Sequence, residues 1–515
     1  MKRFYALLLA GAILGAQACK KSDNDPQTEK KELTMLGVVG FETEFPISSS
    51  GRWSIEILSG IDWLQLDKHN GTGDAILKFT TAKSVTSPQQ TTVKLIVNGS
   101  PIDLVVKIDP FYTNTDTKTL GGEALDQVLA TIATADGGYL LAGTTISKTG
   151  DFNDNTATPG DAQAVVAKYD QAGAIQWKKY LGGNQNDQYT GVAQTTDGGY
   201  ILVGSTLSTD GVFAGNKGGF DIFVQKLNKD GAQQWLKFFG STKDDYGGDV
   251  ALTQDGTIFV TGISEGINGD FNSHGHSDAW MACLDNTGTV KWKRSYGGTQ
   301  EETGKARVAI TADGNLVFCA STNSMDGDLS NNVFEGFTDA WLCKVKASNG
   351  DLIWSKTFGG ASMENINSII PIEDGGVIAA GQTYSRPIYG QQITGISDGF
   401  VLKVNANGEK QWLTLIDHDG GLEALFSISK FKNTGFIASG TRFNSAGVSD
   451  GFLCLLDGSG KKAWTKVIGG SKADHFTNLS ITKDNTVIAS GISASNDEDI
   501  PGNAGDFDIF MHSFK

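Results

Sequence analysis

Short runs in which apolar and polar side chains alternate recur along most of this chain. In Trp53-Ser-Ile-Glu-Ile57, Ile76-Leu-Lys-Phe-Thr80, Thr92-Val-Lys-Leu-Ile-Val97 and Asp103-Leu-Val-Val-Lys-Ile108 every second residue falls on one face. That is the pattern of a half-buried strand. Turn-forming stretches such as Asn70-Gly-Thr-Gly73 separate the runs. Residues 34–109 therefore predict a small β-sandwich. Residues 20–33 are polar and predict a disordered tether.

From residue 111 to 515 a longer period takes over. Gly173-Ala-Ile-Gln-Trp177 recurs as Gly231 to Trp235, Gly288 to Trp292, Gly350 to Trp354, Gly408 to Trp412 and Gly460 to Trp464. The Trp-to-Trp steps are 58, 57, 62, 58 and 52 residues, the mark of one supersecondary unit copied many times. Each unit reads as four strands. The first two flank Asp-Gly turns at Asp136, Asp197, Asp255, Asp313 and Asp374, the strongest short hairpin signal. Third strands begin near Asp161, Asp221, Asp278, Asp339, Asp398, Asp450 and Asp508, and fourth strands carry the Trp. Leu181, Phe239, Tyr296, Phe358, Ile416 and Ile468 stand four residues beyond each Trp and share its strand face. The Trp is thus expected to pack.

The seventh copy ends at Phe514-Lys515, before any fourth strand. Thr117-Lys-Thr-Leu-Gly-Gly122 matches Ser355-Lys-Thr-Phe-Gly-Gly360, with Asp116 at the Trp position. Residues 111–120 are therefore expected to supply the missing outer strand. Such an offset is needed by a closed ring and not by a linear array. The expected fold is all-β: an N-terminal sandwich followed by a seven-bladed β-propeller closed by an N-terminal strand.

These units resemble secreted bacterial β-propeller (SBBP-like) repeats. Ala282-Cys-Leu-Asp-Asn-Thr-Gly-Thr-Val-Lys-Trp292 also resembles the tryptophan-docking motif of quinoprotein propellers, a structural motif in that family. Trp53, Asp62-Trp-Leu64 and Gly71-Thr-Gly73 resemble the Ig-like BACON domain, a Bacteroidetes-associated module. That resemblance implies a carbohydrate-binding module or a spacer. Trp63 reads as a core residue first and as a sugar-stacking surface second.

The first nineteen residues stand apart. Met1-Lys-Arg3, the apolar stretch Phe4 to Leu14 and Ala16-Gln-Ala-Cys19 make a signal peptide. The ending resembles a Bacteroidetes-type lipoprotein signal, which implies lipidation of Cys19 and a membrane partner through that lipid. No later run reaches the ~18 apolar residues of a membrane span. The expected location is the outer membrane or cell surface.

Composition narrows the partners. A net charge of −16 repels a phosphate backbone and excludes nucleic acid. Cys283, Cys319, Cys343 and Cys454 lie in apolar runs without paired spacing, as buried free thiols do.

Candidate chemistry collects on one face. The second-to-third loops are long (about 146–160, 207–219, 265–277, 323–337 and 384–397) and share a face with the Gly-Gly connections. Asp126, Asp187, Asp245, Glu302, Glu364 and Asp474 each follow such a connection by four residues and form a candidate ligand ring. The competing reading is that they bond local backbone N–H groups. Asp151, Asp270 and Asp328 are weak calcium candidates within Gly-Asp-apolar turns. No other cofactor is expected and no catalytic residue is singled out. His274 and His276 lack a third ligand, and nucleophile-elbow and phosphate-loop signatures are absent from the sequence. The reading is a lipid-anchored surface protein that recognises carbohydrate or an envelope protein. The alternatives are a glycosidase or lyase using two of the many carboxylates, and then a quinoprotein dehydrogenase.

Overall fold

The computed structural model describes residues 29–515 other than 58–60, 114, 157–160, 418–420, 433–434 and 445. The signal segment, Cys19 and residues 20–28 of the expected tether lie outside the described residues. Among the described residues no helix is long and apolar enough to cross a membrane.

The described residues are all-β apart from three single-turn 3-10 segments. At the N-terminus a five-stranded sheet packs on a three-stranded one. The first contains Glu29–Leu36, Ser100–Asp109, Gln89–Val97, Arg52–Glu56 and Asn70–Thr72, and the second Glu42–Ile47, Ala75–Thr81 and Leu64–Leu66. Trp53, Trp63, Leu77, Phe79, Val93 and Leu104 fill the space between them. Trp63 is 9% exposed and is no sugar platform.

The polar stretch expected to be tether up to residue 33 enters the sheet at Glu29. It runs parallel to Ser100–Asp109, with Glu29 opposite Ile102. Glu29 to Glu32 stay exposed while Leu33, Met35 and Leu36 are buried. Backbone pairing on an edge tolerates polar side chains, so composition alone placed the boundary too late. Leu36, Val38 and Phe41 leave the sandwich core and pack with Phe431, Leu453 and Phe476 of the repeat region. Lys461 Nζ meets Glu42 Oε1 at 2.9 Å across the same contact.

The repeat region forms seven four-stranded antiparallel sheets. Six take their strands in chain order, beginning with Asp126–Ala133, Tyr139–Thr145, Gln163–Tyr169 and Ile175–Leu181. The last combines Asp474–Ile481, Val487–Ser493 and Asp508–Phe514 with Asp116–Leu120 from the other end of the repeats. Ile509 lies opposite Leu120 and Ser513 opposite Asp116. Thr113 and Lys515 exchange backbone hydrogen bonds of 2.8 and 2.9 Å. The first strand of the seventh sheet also meets that of the first: Thr477 Oγ1 donates to Val128 O at 2.9 Å, and Ala133 N donates to Ser480 Oγ at 2.6 Å.

The Gly-x-x-x-Trp repeat works between sheets. Each motif Gly has φ between +74° and +86°, a region open to Gly without steric cost. The indole of one sheet lies on the Gly of the next motif. A Cβ on Gly231 would meet the Trp177 ring at 3.0 Å, and one on Gly460 would meet Trp412 at 2.8 Å. The indole N–H then donates to a nearby carbonyl of the same turn: Trp177 to Lys229 O, Trp235 to Asn286 O, Trp292 to Ala347 O and Trp354 to Ala406 O, at 3.0–3.3 Å.

Residues 112–116 are the seventh motif in altered form. Tyr112 takes the Gly position with φ +60°, and its ring lies 5.0 Å from that of Trp464. Asp116 takes the Trp position, so no indole reaches Gly173. Lys118 Nζ bonds Ala172 O and Gly173 O there, both at 3.1 Å. A cavity of about 120 Å3 remains, lined by residues including Asp116, Tyr139, Gly173 and Asp484. Asp116→Trp should fill it and raise stability by roughly 0.5–2 kcal/mol, as cavity-filling changes do, measured by urea unfolding against the parent.

Candidate functional site

The six acids of the expected ligand ring each open the first strand of a sheet, and all are at most 1% exposed. Their oxygens are taken by neighbours in one repeated scheme. Asp126 Oδ2 accepts from Gly122 N at 3.0 Å and Ser147 Oγ at 2.8 Å, while Oδ1 accepts from Thr145. Asp187 does the same with Gly183 N, Ser208 and Thr206. Asp245 bonds Ser241 N and Ser264, Glu302 bonds Gly298 N and Thr322, Glu364 bonds Gly360 N and Thr383, and Asp474 bonds Gly470 N and Ser495. The six carboxylates are therefore enclosed and do not line a solvent-facing ring. Strand-end position predicted the right end of each sheet, but the backbone turn folds over the side chain and closes it off.

A second buried acid faces most of them from the third strand. Asp221, Asp278, Asp339, Asp398 and Asp508 are at most 1% exposed. A Cβ on Gly469 would lie 2.5 Å from Asp450 Oδ1 and 2.9 Å from Asp474 Oδ2. The connecting Gly is thus required by close approach to the acid pair. Burial pushes Asp126, Asp187, Asp245, Asp221 and Asp339 up to about 6 and Glu302 up to about 7. Hydrogen bonds to the ionised form offset only part of that cost.

The scheme has a seventh acid that sequence spacing did not reveal. Glu423 is fully buried, and its N–H donates to Ser397 O as Glu364 N donates to Thr338 O. Here Asp417 directly follows Ile416, where the other copies place Gly, and the connection is one residue longer.

The calcium candidates are latches. Asp151, Asp270 and Asp328 each accept from Gly121 N, Gly240 N or Gly297 N through Oδ2 at 3.1–3.2 Å. Each returns its own N–H to the same residue's carbonyl at 2.9–3.1 Å. Asp270 also pairs with Lys217 and Lys293, both at 2.7 Å. The next residues, Phe152, Phe271 and Leu329, are buried plugs. The three acids serve separate sheets and do not converge. Among the described residues only Asp398, Asp417 and Glu423 bring three acidic groups within metal-binding reach of one another.

The repeat is broken in two neighbouring sheets. In five sheets the first and second strands slip register by one residue; in the third and fourth the break spans Gly247 to Val250 and Thr303 to Arg307. Such bulges re-aim side chains and favour functional sites. Gly304 has φ +87°, and Lys305 and Arg307 turn toward the inner strands. Their cavity of about 170 Å3 is lined by residues including Leu129, Thr190, Tyr246 and Ile263. It lies at the end of the sheets where the Gly-Gly connections run. Arg307 Nη1 stands 3.7 Å from Asp249 Oδ1, and Lys305 Nζ lies 5.3 Å from the Phe426 ring centroid. Burial, and then Arg307, lower Lys305 to about 7.

The signal for this site was in the sequence: within the first six positions of the seven first strands, Lys305 and Arg307 are the only lysine and arginine. Alternation does not reveal it, because the bulge breaks the period. A tricyclic quinone bearing three carboxylates does not fit here. The space is well below the ~300 Å3 of ordinary small-molecule pockets, and the rim offers two cations.

Residues 222–495, just over half of the chain, match the family model described as outer membrane protein assembly factor BamB. The chain belongs to that family. No curated protein matches the sequence. Among solved structures it is similar to puromycin hydrolase, at 13% identity and TM-score 0.42, over 72% of this chain and 51% of that one. The chain thus spans about half the length of that hydrolase. It is also similar to a quinonprotein alcohol dehydrogenase-like protein from Bacteroides thetaiotaomicron, at 9% identity and TM-score 0.33, covering 85% and 94%. A third is the PQQ-bound aldose sugar dehydrogenase from Streptomyces coelicolor, at 10% and 0.31, covering 79% and 100%. At such scores none of these likenesses bears on activity.

The buried acids whose values are raised give the fold a testable pH response. Asp126, Asp187, Asp245, Asp221 and Asp339 lie above the ordinary 3.8 of Asp, and Glu302 above the ordinary 4.5 of Glu. Between about 4 and 7 the folded state therefore holds more protons than the unfolded chain. This contribution is complete below about 4 and is lost as pH rises through 6 to 7. Thermal unfolding followed by circular dichroism should show a higher midpoint at pH 5 than at pH 7.5, and Asp187→Asn should reduce the difference.

Proposed function

We propose that this protein is a lipid-anchored binding protein of the outer membrane, tethered through Cys19 after removal of residues 1–19. In this reading the BACON-like sandwich is a spacer over a closed seven-bladed propeller, whose long-loop face receives an envelope protein. The supporting observation is the position of exposed apolar side chains. Among the described residues, the five large ones above 60% exposure are Ile267, Met325, Val333, Phe337 and Ile396. All lie on the long loops between second and third strands of three consecutive sheets. Apolar groups gathered on one face in this way are a feature of protein–protein interfaces, and the acid pairs and Asp latches beneath give those loops a rigid base. The family's association with outer membrane protein assembly favours a protein partner over a glycan.

Photo-crosslinking from Phe337 in intact cells tests the reading. A discrete envelope-protein adduct is expected, lost on Ile267→Ser/Ile396→Ser while the unfolding midpoint is unchanged. An adduct indifferent to both substitutions would contradict it, and saturable binding on a glycan array with no adduct would favour the carbohydrate reading. Cys19→Ala should release the protein from the membrane fraction.

A further inference from the structure

The Lys305 ammonium has no hydrogen-bond acceptor and no ion-pair partner among the described residues; it lies over the Phe426 ring. The neighbouring Arg307 is only partly neutralised. Its Nη1 reaches Asp249 Oδ1 at 3.7 Å, its Nε and Nη1 lie 3.4 Å from Asn367 O and Thr190 O, and Asp249 Oδ2 is also taken by Val308 N at 3.3 Å. Both cations thus stand at the wall of a cavity, and only Arg307 has a carboxylate beside it. A half-buried ammonium without a partner loses hydration that nothing replaces, and both cations sit on a bulge wider than the one-residue slip of five other sheets. The rest of the lining is largely apolar, with Leu129, Tyr246, Ile263 and Ala306.

We propose that this cavity binds a small carboxylate carrying an apolar body, with the carboxylate on Lys305 Nζ and Arg307 and the body against Leu129, Tyr246 and Ile263. An added negative charge would balance the second cation, and a charge-assisted bond to an enclosed lysine is stronger than one in water. The volume of about 170 Å3 limits the ligand to roughly the size of a single aromatic acid. The site is independent of the long-loop docking reading, since its lining lies on first and second strands and not on the apolar loop residues.

Benzoate serves as the probe, titrated calorimetrically into the full chain at pH 7.5 in two buffers of different ionisation enthalpy. Saturable one-to-one binding is expected, with uptake of protons. Uptake follows because Lys305, lowered to about 7 by burial and by Arg307, regains its proton when a carboxylate arrives; Asp249 on the facing strand stays paired with Arg307. Neutral benzamide should not bind, and inorganic phosphate, which lacks the apolar body, should bind at least roughly tenfold more weakly. Lys305→Met keeps the side-chain volume and should cost benzoate roughly tenfold or more in affinity, whereas Lys305→Arg should retain it. Equal binding of benzoate and benzamide, benzoate affinity untouched in a folded Lys305→Met protein, or absence of saturable heat would overturn the proposal. Phosphate binding as tight as benzoate would overturn its apolar half.

Discussion

An indole lying on the left-handed glycine of the next repeat is the contact on which the rest of the molecule depends. A four-stranded sheet cannot bury its faces alone, so each must be held against its neighbours at a fixed offset. The glycine removes the Cβ that would strike the ring, and the indole N–H is satisfied by a carbonyl of the same turn. Direction and distance are thereby fixed together. Val404, Leu402 and their counterparts in other sheets then fill the space between at close to zero exposure.

The inner end of each sheet is held by a different device. A buried acid on the first strand ties the connecting turn to the second strand, and in most cases an acid on the third strand of the preceding sheet presses against it. Two carboxyl groups in so little water favour the protonated form, and the raised values of Asp126, Asp221 and Glu302 are the result. Asp151, Asp270 and Asp328 then pull the long loops down on the same turns. Polar residues placed where a ligand ring was expected are therefore consumed in holding the loops. What those loops present outward is apolar, and Lys305 and Arg307 sit where the scheme gives way to a wider bulge.

The sequence was readable where the physics is local. Asp-Gly turns, alternating strands and the Gly-x-x-x-Trp period each depend on neighbours within a few residues, and the strand Asp116–Leu120 was recognisable from Lys118, Leu120 and the glycines after it. Tyr112 was not, because an aromatic residue at φ +60° runs against the preference that marked the six glycines. Glu423 was hidden by a one-residue insertion and by Asp417 in a glycine's place. The burial of Asp126 and its counterparts was undecided in sequence: a carboxylate at a strand end serves a mouth or a turn equally well until the turn's path is known. Lys305 escaped because bulges erase the alternation by which strand faces are recognised.

The sealing of the last sheet by Asp116–Leu120 is open to direct measurement by hydrogen exchange along Asp508–Phe514. In a sealed sheet this is an interior strand, with Leu120 opposite Ile509 and Asp116 opposite Ser513. Its alternate amides that face Asp116–Leu120 should then exchange as slowly as those of Asp339–Val345, the third strand of an uninterrupted sheet. Rapid exchange at those alternate positions, with Asp339–Val345 still protected, would mean that Asp508–Phe514 is a free edge and that the ring is not closed.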